Sequence, residues 1–207
     1  MDLYFCKTKL QDMNNKIAIT GDLGSGKSSV CKVLHKELGF RIISVGSIQR
    51  ELAAEHNMSI TEFNRYMETH PEIDIACDNK VSEWGKTNEG LIFDSRLAWH
   101  FVPHALKVYL KVDIRIAAQR IFGDRERRNE EQSDIVAVQS KISERRKSEI
   151  IRFKSQYQID LEAFDNYDIV IDTGNLSIEE TAHIILESYT RFANGRPFEK
   201  FHSADTQ

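Results

Sequence analysis

The sequence predicts an α/β fold: a five-stranded parallel sheet with helices on both faces. Three observations carry this expectation. Short apolar, β-branched runs alternate with longer segments of helical periodicity, the pattern of a doubly wound sheet with right-handed crossovers. The first run, Lys16 to Thr20, feeds directly into Gly21-Asp22-Leu23-Gly24-Ser25-Gly26-Lys27-Ser28, a glycine-rich loop that opens a helix. Gly21, Ser44, Asp94 and Asp172 all fall at the C-terminal ends of expected strands, where open α/β sheets bind ligands.

Residues 1–15 hold Asp2, Lys7, Lys9 and Asp12 and lack the apolar core of a secretory signal, so they read as an extension ahead of the first strand. After the glycine-rich loop, Val30, Val33, Leu34 and Leu38 recur at helical spacing until Gly39. Phe40 to Ile43 is the second expected strand. A helical insert over 44–88 follows, with helices at Ile48 to Glu55, behind the capping box Ser59-x-x-Glu62, and from Glu72 to Lys86 after Pro71. Leu91 to Asp94 and Lys107 to Val112 are the third and fourth expected strands, and Asp113 caps a helix reaching Phe122. Gly123 to Asp134 is almost entirely polar, and a long helix from Ile135 to Phe153 follows. Asp168 to Ile171 is the fifth strand, Ser177-x-x-Glu180 caps a last helix to Phe192, and 193–207 reads as a mobile tail.

Bulk properties exclude several classes. At 207 residues, 41% hydrophobic and 29% charged, the chain is about one soluble globular domain. A net charge of −4 argues against a polyanion binder, so no nucleic-acid partner is expected. Cys6, Cys31 and Cys77 are odd in number and widely spaced, which suits a reducing cytoplasm. The 7 histidines do not join cysteines at zinc-ligand spacings, and no apolar run has the length of a membrane span.

The glycine-rich loop has a physical reading. Gly21, Gly24 and Gly26 allow positive φ, so successive N–H groups can turn inward around an anion. The helix beginning at Lys27 adds its unpaired N–H groups and positive dipole end. Lys27 then reaches the terminal phosphates of a triphosphate, and the Ser28 hydroxyl is a Mg²⁺ ligand. The expected cofactors are ATP and Mg²⁺, held by residues 21–29 from Gly21 through Ser28 and Ser29, on the fold of the P-loop NTPases.

Phosphoryl transfer requires positioned charge more than a protein nucleophile. Arg96, two residues beyond Asp94, can fork onto a phosphate, or it can form a surface ion pair. Asp94 can hold Mg²⁺ or accept a proton; its alternatives are a helix cap and a partner for Lys27. Arg50 lies in the insert, either against an acceptor phosphate or on a solvated helix face. The segment 120–155 reads as an arginine-bearing lid, with nine cations against seven anions from Arg120 to Arg152. Arg120, Arg125, Arg145 and Arg152 are its expected functional members.

These residues together make the chain resemble the nucleoside monophosphate kinases, and among them the small archaeal cytidylate kinases. The matching stretches span Lys16 to Phe192: the glycine-rich loop, Phe40 to Gly46 with Arg50, Pro71 to Asp74, Asp94 to Ala98, Glu144-Arg145 with Ser148-Glu149 and Arg152, and Tyr167 to Thr173. The resemblance implies a kinase domain over 16–192 whose core binds ATP–Mg²⁺, whose insert holds a monophosphate and whose lid closes over both. It implies that Ser44, Gly46, Arg50, Asp74 and Arg96 bind the acceptor, most simply CMP or dCMP. The lid arginines would steady the transferring phosphoryl group, and the turn holding Asn175 would pass the adenine. The chain departs from the family's usual Gly-Arg with Ser95-Arg96, carries Trp99 where a small residue is usual, and has Gln49 where an aromatic is commoner. A cytoplasmic monomer with only small-molecule partners is expected. Two other readings stay open: a kinase for another metabolite, such as dephospho-coenzyme A or shikimate, and an ATP-binding switch without useful phosphoryl transfer.

Overall fold

The computed structural model describes residues 15–123 and 134–203. Its elements run β1 (Lys16–Gly21), α1 (Lys27–Leu38), β2 (Arg41–Ser44), α2 (Val45–Glu55), α3 (Ile60–Met67), α4 (Pro71–Gly85), β3 (Leu91–Asp94), α5 (Ala98–Phe101), β4 (Leu106–Lys111), α6 (Ile114–Gly123), α7 (Ile135–Tyr157), β5 (Ile169–Asp172), α8 (Ile178–Ala193) and β6 (Phe201–His202). The strands form one parallel sheet in the order β2-β3-β1-β4-β5-β6. β1 is central, which explains its continuous apolar run: alternate side chains enter opposite cores. Ile17 and Ile19 join Val108, Leu110, Ile169 and Ile171 on the face covered by α1 and α8, whereas Ala18 joins Phe93, Tyr109 and Val170 on the other.

The sheet has six strands rather than the expected five. Gly195 turns at φ 63°, Phe198 packs 6.3 Å from Phe192, and the Val170 N–H donates to the Lys200 carbonyl at 2.6 Å. This returns 193–203 to the open edge of β5, where a mobile tail was expected. Two residues are too few to display a strand period, so the pairing is invisible to pattern reading.

Other boundaries differ by cap chemistry. Ser44 ends β2 and also caps α2, its hydroxyl accepting the Ser47 N–H at 3.3 Å, so no separate turn intervenes before the helix. The capping boxes at Ser59/Glu62 and Ser177/Glu180 form as expected. α7 runs past Phe153 to Tyr157 and stops where Gln158 adopts φ 60°. A short helix, α5, and a 3₁₀ turn at Phe164–Asn166 appear where the sequence has no clear period. No helix of the described residues is long and apolar enough to cross a membrane.

Candidate active site

The glycine-rich loop closes around its own lysine. Gly21, Gly24 and Gly26 have φ of 147°, 77° and 86°. A Cβ on Gly21 would stand 2.2 Å from the Leu110 carbonyl oxygen, so this close approach of the loop to β4 excludes any side chain. Lys27 Nζ donates to the carbonyls of Gly21 at 2.8 Å and Asp22 at 2.7 Å. Burial, reinforced by Arg96, pushes the Lys27 ammonium down to about 7 against the pull of Asp94, Glu149 and Asp22. An incoming polyphosphate would restore the charge by offering the missing counter-ion.

At the ends of β3 and β2, Ser28 Oγ donates to Asp94 Oδ2 at 2.9 Å and Ser44 Oγ to the same oxygen at 3.4 Å. A hydroxyl and a carboxylate side by side beside a phosphate cradle form a hard-oxygen donor set. Mg²⁺ binds in this way, keeping waters and phosphate oxygens in its remaining positions. The residues therefore fit the ion that the sequence implies.

Arg96 and Arg145, both partly buried, share the buried carboxylate of Glu149. Glu149 is 2% exposed; its Oε2 lies 2.9 Å from Arg96 Nε and its Oε1 3.0 Å from Arg145 Nε. Burial pushes this carboxyl up, but Arg96, Arg145 and Arg152 outweigh it and hold it at about 2. Arg96 Nη1 also donates to the Gly21 carbonyl, so it joins the loop to α7. Nothing in the spacing of Asp94-Ser95-Arg96 discloses the carboxylate partner. The helical spacing of Arg145, Glu149 and Arg152 could have done so, since these positions share one face.

The far end of the cavity is polar. Arg152 Nε lies 3.0 Å from Asp74 Oδ2, and its Nη1 donates to Asn64 O at 2.9 Å and Oδ1 at 3.2 Å. Gln49 Nε2 donates to Asp74 Oδ1 at 3.4 Å. Asp78, one turn further along α4, accepts from Tyr157 Oη at 2.7 Å; burial raises its carboxyl to about 7 despite that bond. Arg152, expected among the lid arginines, stands in the wall of this end. Arg50 is exposed on α2, donates to Ser47 Oγ at 3.0 Å and faces the same cavity beside Gly46.

One cavity of about 790 Å³ joins these parts, lined from Gly24, Lys27 and Ser28 through Asp94 and Arg96 to Asp74 and Asp78. Arg120 stands at its glycine-rich-loop end, where Nη2 donates to the Thr173 carbonyl at 2.6 Å and Nη1 reaches Gly24 O at 3.5 Å. Asn175 is exposed in the adjoining turn after β5. Arg125 lies outside the described residues. Asp78 lines the cavity without having been expected there, and Gln49, marked in the sequence as a departure from the family, lines it as well. Trp99 packs 5.5 Å from Tyr167 in the apolar core and does not line the cavity. Ser95 requires no positive φ, so serine serves where the family has glycine.

Comparison with known proteins bears on family and fold. The family described as an AAA domain matches residues 17–152. Cytidylate kinases of Methanocella arvoryzae and Archaeoglobus fulgidus are 34% and 33% identical, covering 83% and 84% of this chain and 95% and 93% of theirs. A nucleotide dehydratase dependent on S-adenosylmethionine, from Lacinutrix mariniflava, is 36% identical over 86% of this chain, which spans only 37% of its length. Among solved structures, an uncharacterized protein from Eubacterium ventriosum (TM-score 0.63, 18% identity, 84% of this chain and 98% of that one) shares the fold. Shikimate kinase from Bacteroides thetaiotaomicron (0.58, 12%, 84% and 98%) shares it as well.

Proposed function

The chain belongs to the nucleoside monophosphate kinase family of P-loop proteins, and from that premise we propose that it moves the γ-phosphoryl of ATP onto CMP or dCMP. The observation that carries this reading is the single cavity running from the phosphate loop, past Arg96 and Arg145, to the paired acids of α4. Donor and acceptor then lie end to end, with guanidinium groups where their phosphates meet.

The chemistry follows from charge placement. Lys27 and the inward N–H groups hold the donor phosphates, while Ser28 and Asp94 would hold the Mg²⁺. When bound, that ion neutralises developing charge on the phosphate oxygens. Arg96 and Arg145 turn toward the meeting point of the two phosphates and favour the more dispersed charge of the transition state. Arg50 secures the acceptor from the rim. An acceptor monophosphate is already an anion near neutral pH, so in-line attack by its oxygen requires no protein base.

The far end supports an amino-bearing pyrimidine. Asp74 and Asp78 are hydrogen-bond acceptors there, suited to the exocyclic amine of cytosine, and a uracil would bring a carbonyl oxygen against them. A nucleotide substrate is also common to the names of the kinases and of the dehydratase relative.

The test is ADP release from ATP–Mg²⁺ across CMP, dCMP, UMP, AMP, GMP, shikimate and dephospho-coenzyme A. CMP or dCMP should exceed UMP in kcat/KM by about tenfold or more, the worth of one unpaired buried polar contact. Turnover of a hydroxyl acceptor with none of any monophosphate would sink the proposal. Tight ATP binding without any transfer would instead assign the chain a switch role.

A further inference from the structure

The side chain of Asp22, inside the phosphate loop, does not line the cavity. Its Oδ1 accepts from Tyr109 Oη at 2.6 Å and its Oδ2 from the Val112 N–H at 3.0 Å. The backbone of the same residue donates to Leu110 O at 2.9 Å and accepts Lys27 Nζ at 2.7 Å. Asp22 therefore fastens the loop to β4 with one half and holds the donor lysine with the other. Tyr109 is buried, and Arg146 of α7 reaches its hydroxyl from the far side, Nη2 to Oη 3.4 Å. Arg146 Nη1 and the Tyr167 hydroxyl are both buried without a hydrogen-bond partner, and the Tyr167 ring is centred 4.9 Å from that of Tyr109. A buried polar cluster thus joins α7 to the phosphate loop, and no step of the proposed transfer uses it.

The electrostatics gives the cluster a task. Asp22 is a carboxylate within the loop expected to receive the most highly charged ligand. Left loose, it would repel the triphosphate and compete for Lys27 and the inward N–H groups. The Tyr109 hydroxyl and the Val112 N–H occupy both of its oxygens and turn it away, while the Arg146 guanidinium offsets its charge.

We infer that Tyr109 and Arg146 are positioning residues for the donor site, holding the Asp22 carboxylate out of the phosphate loop and tying the loop to α7. This rests on the reading of the loop as a triphosphate site and is independent of which acceptor is used.

Calorimetric titration of a non-hydrolysable ATP–Mg²⁺ analogue tests it. Tyr109→Phe and Arg146→Met should each weaken binding by about tenfold, the loss of a hydrogen bond to a charged group. In an Asp22→Asn background, with no carboxylate to restrain, the same changes should cost about twofold or less, a coupling that loosened packing alone would not produce. The KM of whichever acceptor the panel identifies should stay within about twofold, since the acceptor end is untouched. Arg146→Lys, which keeps the charge, should recover most of the affinity. Unchanged analogue binding by Tyr109→Phe, or an equal loss with and without the Asp22 carboxylate, overturns the inference. If no acceptor is turned over, the kinase proposal fails while the titration still decides this one. A wild-type chain that binds no analogue removes the donor site and the inference together.

Discussion

Glu149 is the residue on which the centre of the cavity depends. Its carboxylate is shared by Arg96 and Arg145, and removing one partner of a buried ion group leaves the others uncompensated. Glu149→Gln should therefore lower stability by about 3 kcal/mol and depress kcat/KM for both substrates. Because its folded carboxyl, at about 2, lies below the unfolded value of about 4.3, the contribution is complete above the latter. Urea unfolding should show the gap between wild type and Glu149→Gln closing as pH falls from that value toward 2. Asp78 has the opposite sign. Its carboxyl is raised to about 7, so its proton favours the fold at acid pH and that advantage is lost as pH rises through neutrality. An ionised Asp78 is the better acceptor for a cytosine amine, so the KM for CMP should fall between pH 6 and 8 in wild type, by about threefold or more. Asp78→Asn should show a shallower profile over the same range, the remaining slope belonging to Lys27 and to the CMP phosphate. A slope equal to that of wild type would exclude Asp78 from base recognition. The motif residues Lys27, Ser28 and Asp94 were legible because their spacing is set by a local loop. Gln49 and Asp78 were not, because they meet Asp74 and Tyr157 only after α2, α4 and α7 pack together. Glu149 was legible only toward Arg145, one turn away on its own helix, since Arg96 joins it from beyond β3.

Helices α2, α3, α4 and α7 wall the end of the cavity away from the glycine-rich loop, and their ends were read more reliably than their tasks. Ser59/Glu62 and Ser177/Glu180 announce themselves because a capping box is complete within four residues. The end of α7 is not announced, since Gln158 takes the left-handed conformation that glycine ordinarily supplies. Gln158→Gly should relieve that strain and stabilise the protein by about 1 kcal/mol, read as a higher urea midpoint with unchanged slope. A lower midpoint would mean that the Gln158 side chain contributes more than its backbone costs. The segment 120–155, which contains α7, was read as a lid on the strength of its many arginines. Within it α7 supplies groups at two levels of the cavity: Arg145 and Glu149 near the glycine-rich loop, and Arg152 beside Asp74. Counting charges could not distinguish these from Arg146, which faces Tyr109, or from the exposed Lys147.

At the scale of the whole chain, the sheet order explains why distant motifs share a site. Placing β1 beside β3 sets Asp94 across from Ile19, two residues before the glycine-rich loop begins, so this loop and the Asp94–Arg96 segment from far along the chain face one cavity. The parallel, doubly wound arrangement follows from the alternation of strands and helices, whereas the strand order does not, which is why the fold class was the most legible part. A continuous cavity has a consequence that separate pockets would not. A cytidine and an adenosine joined through a chain of five phosphates should occupy both ends at once, with the second nucleoside bound at the high effective concentration set by the linker. Its affinity should exceed that of ATP by about two to four orders of magnitude. The adenosine–adenosine counterpart should bind less tightly, because the Asp74 and Asp78 end would receive a purine. Lys27→Ala should weaken the mixed ligand sharply, and Asp74→Ala should remove its advantage over the adenosine pair. If the mixed ligand binds no better than ATP, the two ends of the cavity do not hold their nucleotides at the same time, and the end-to-end arrangement of donor and acceptor is wrong.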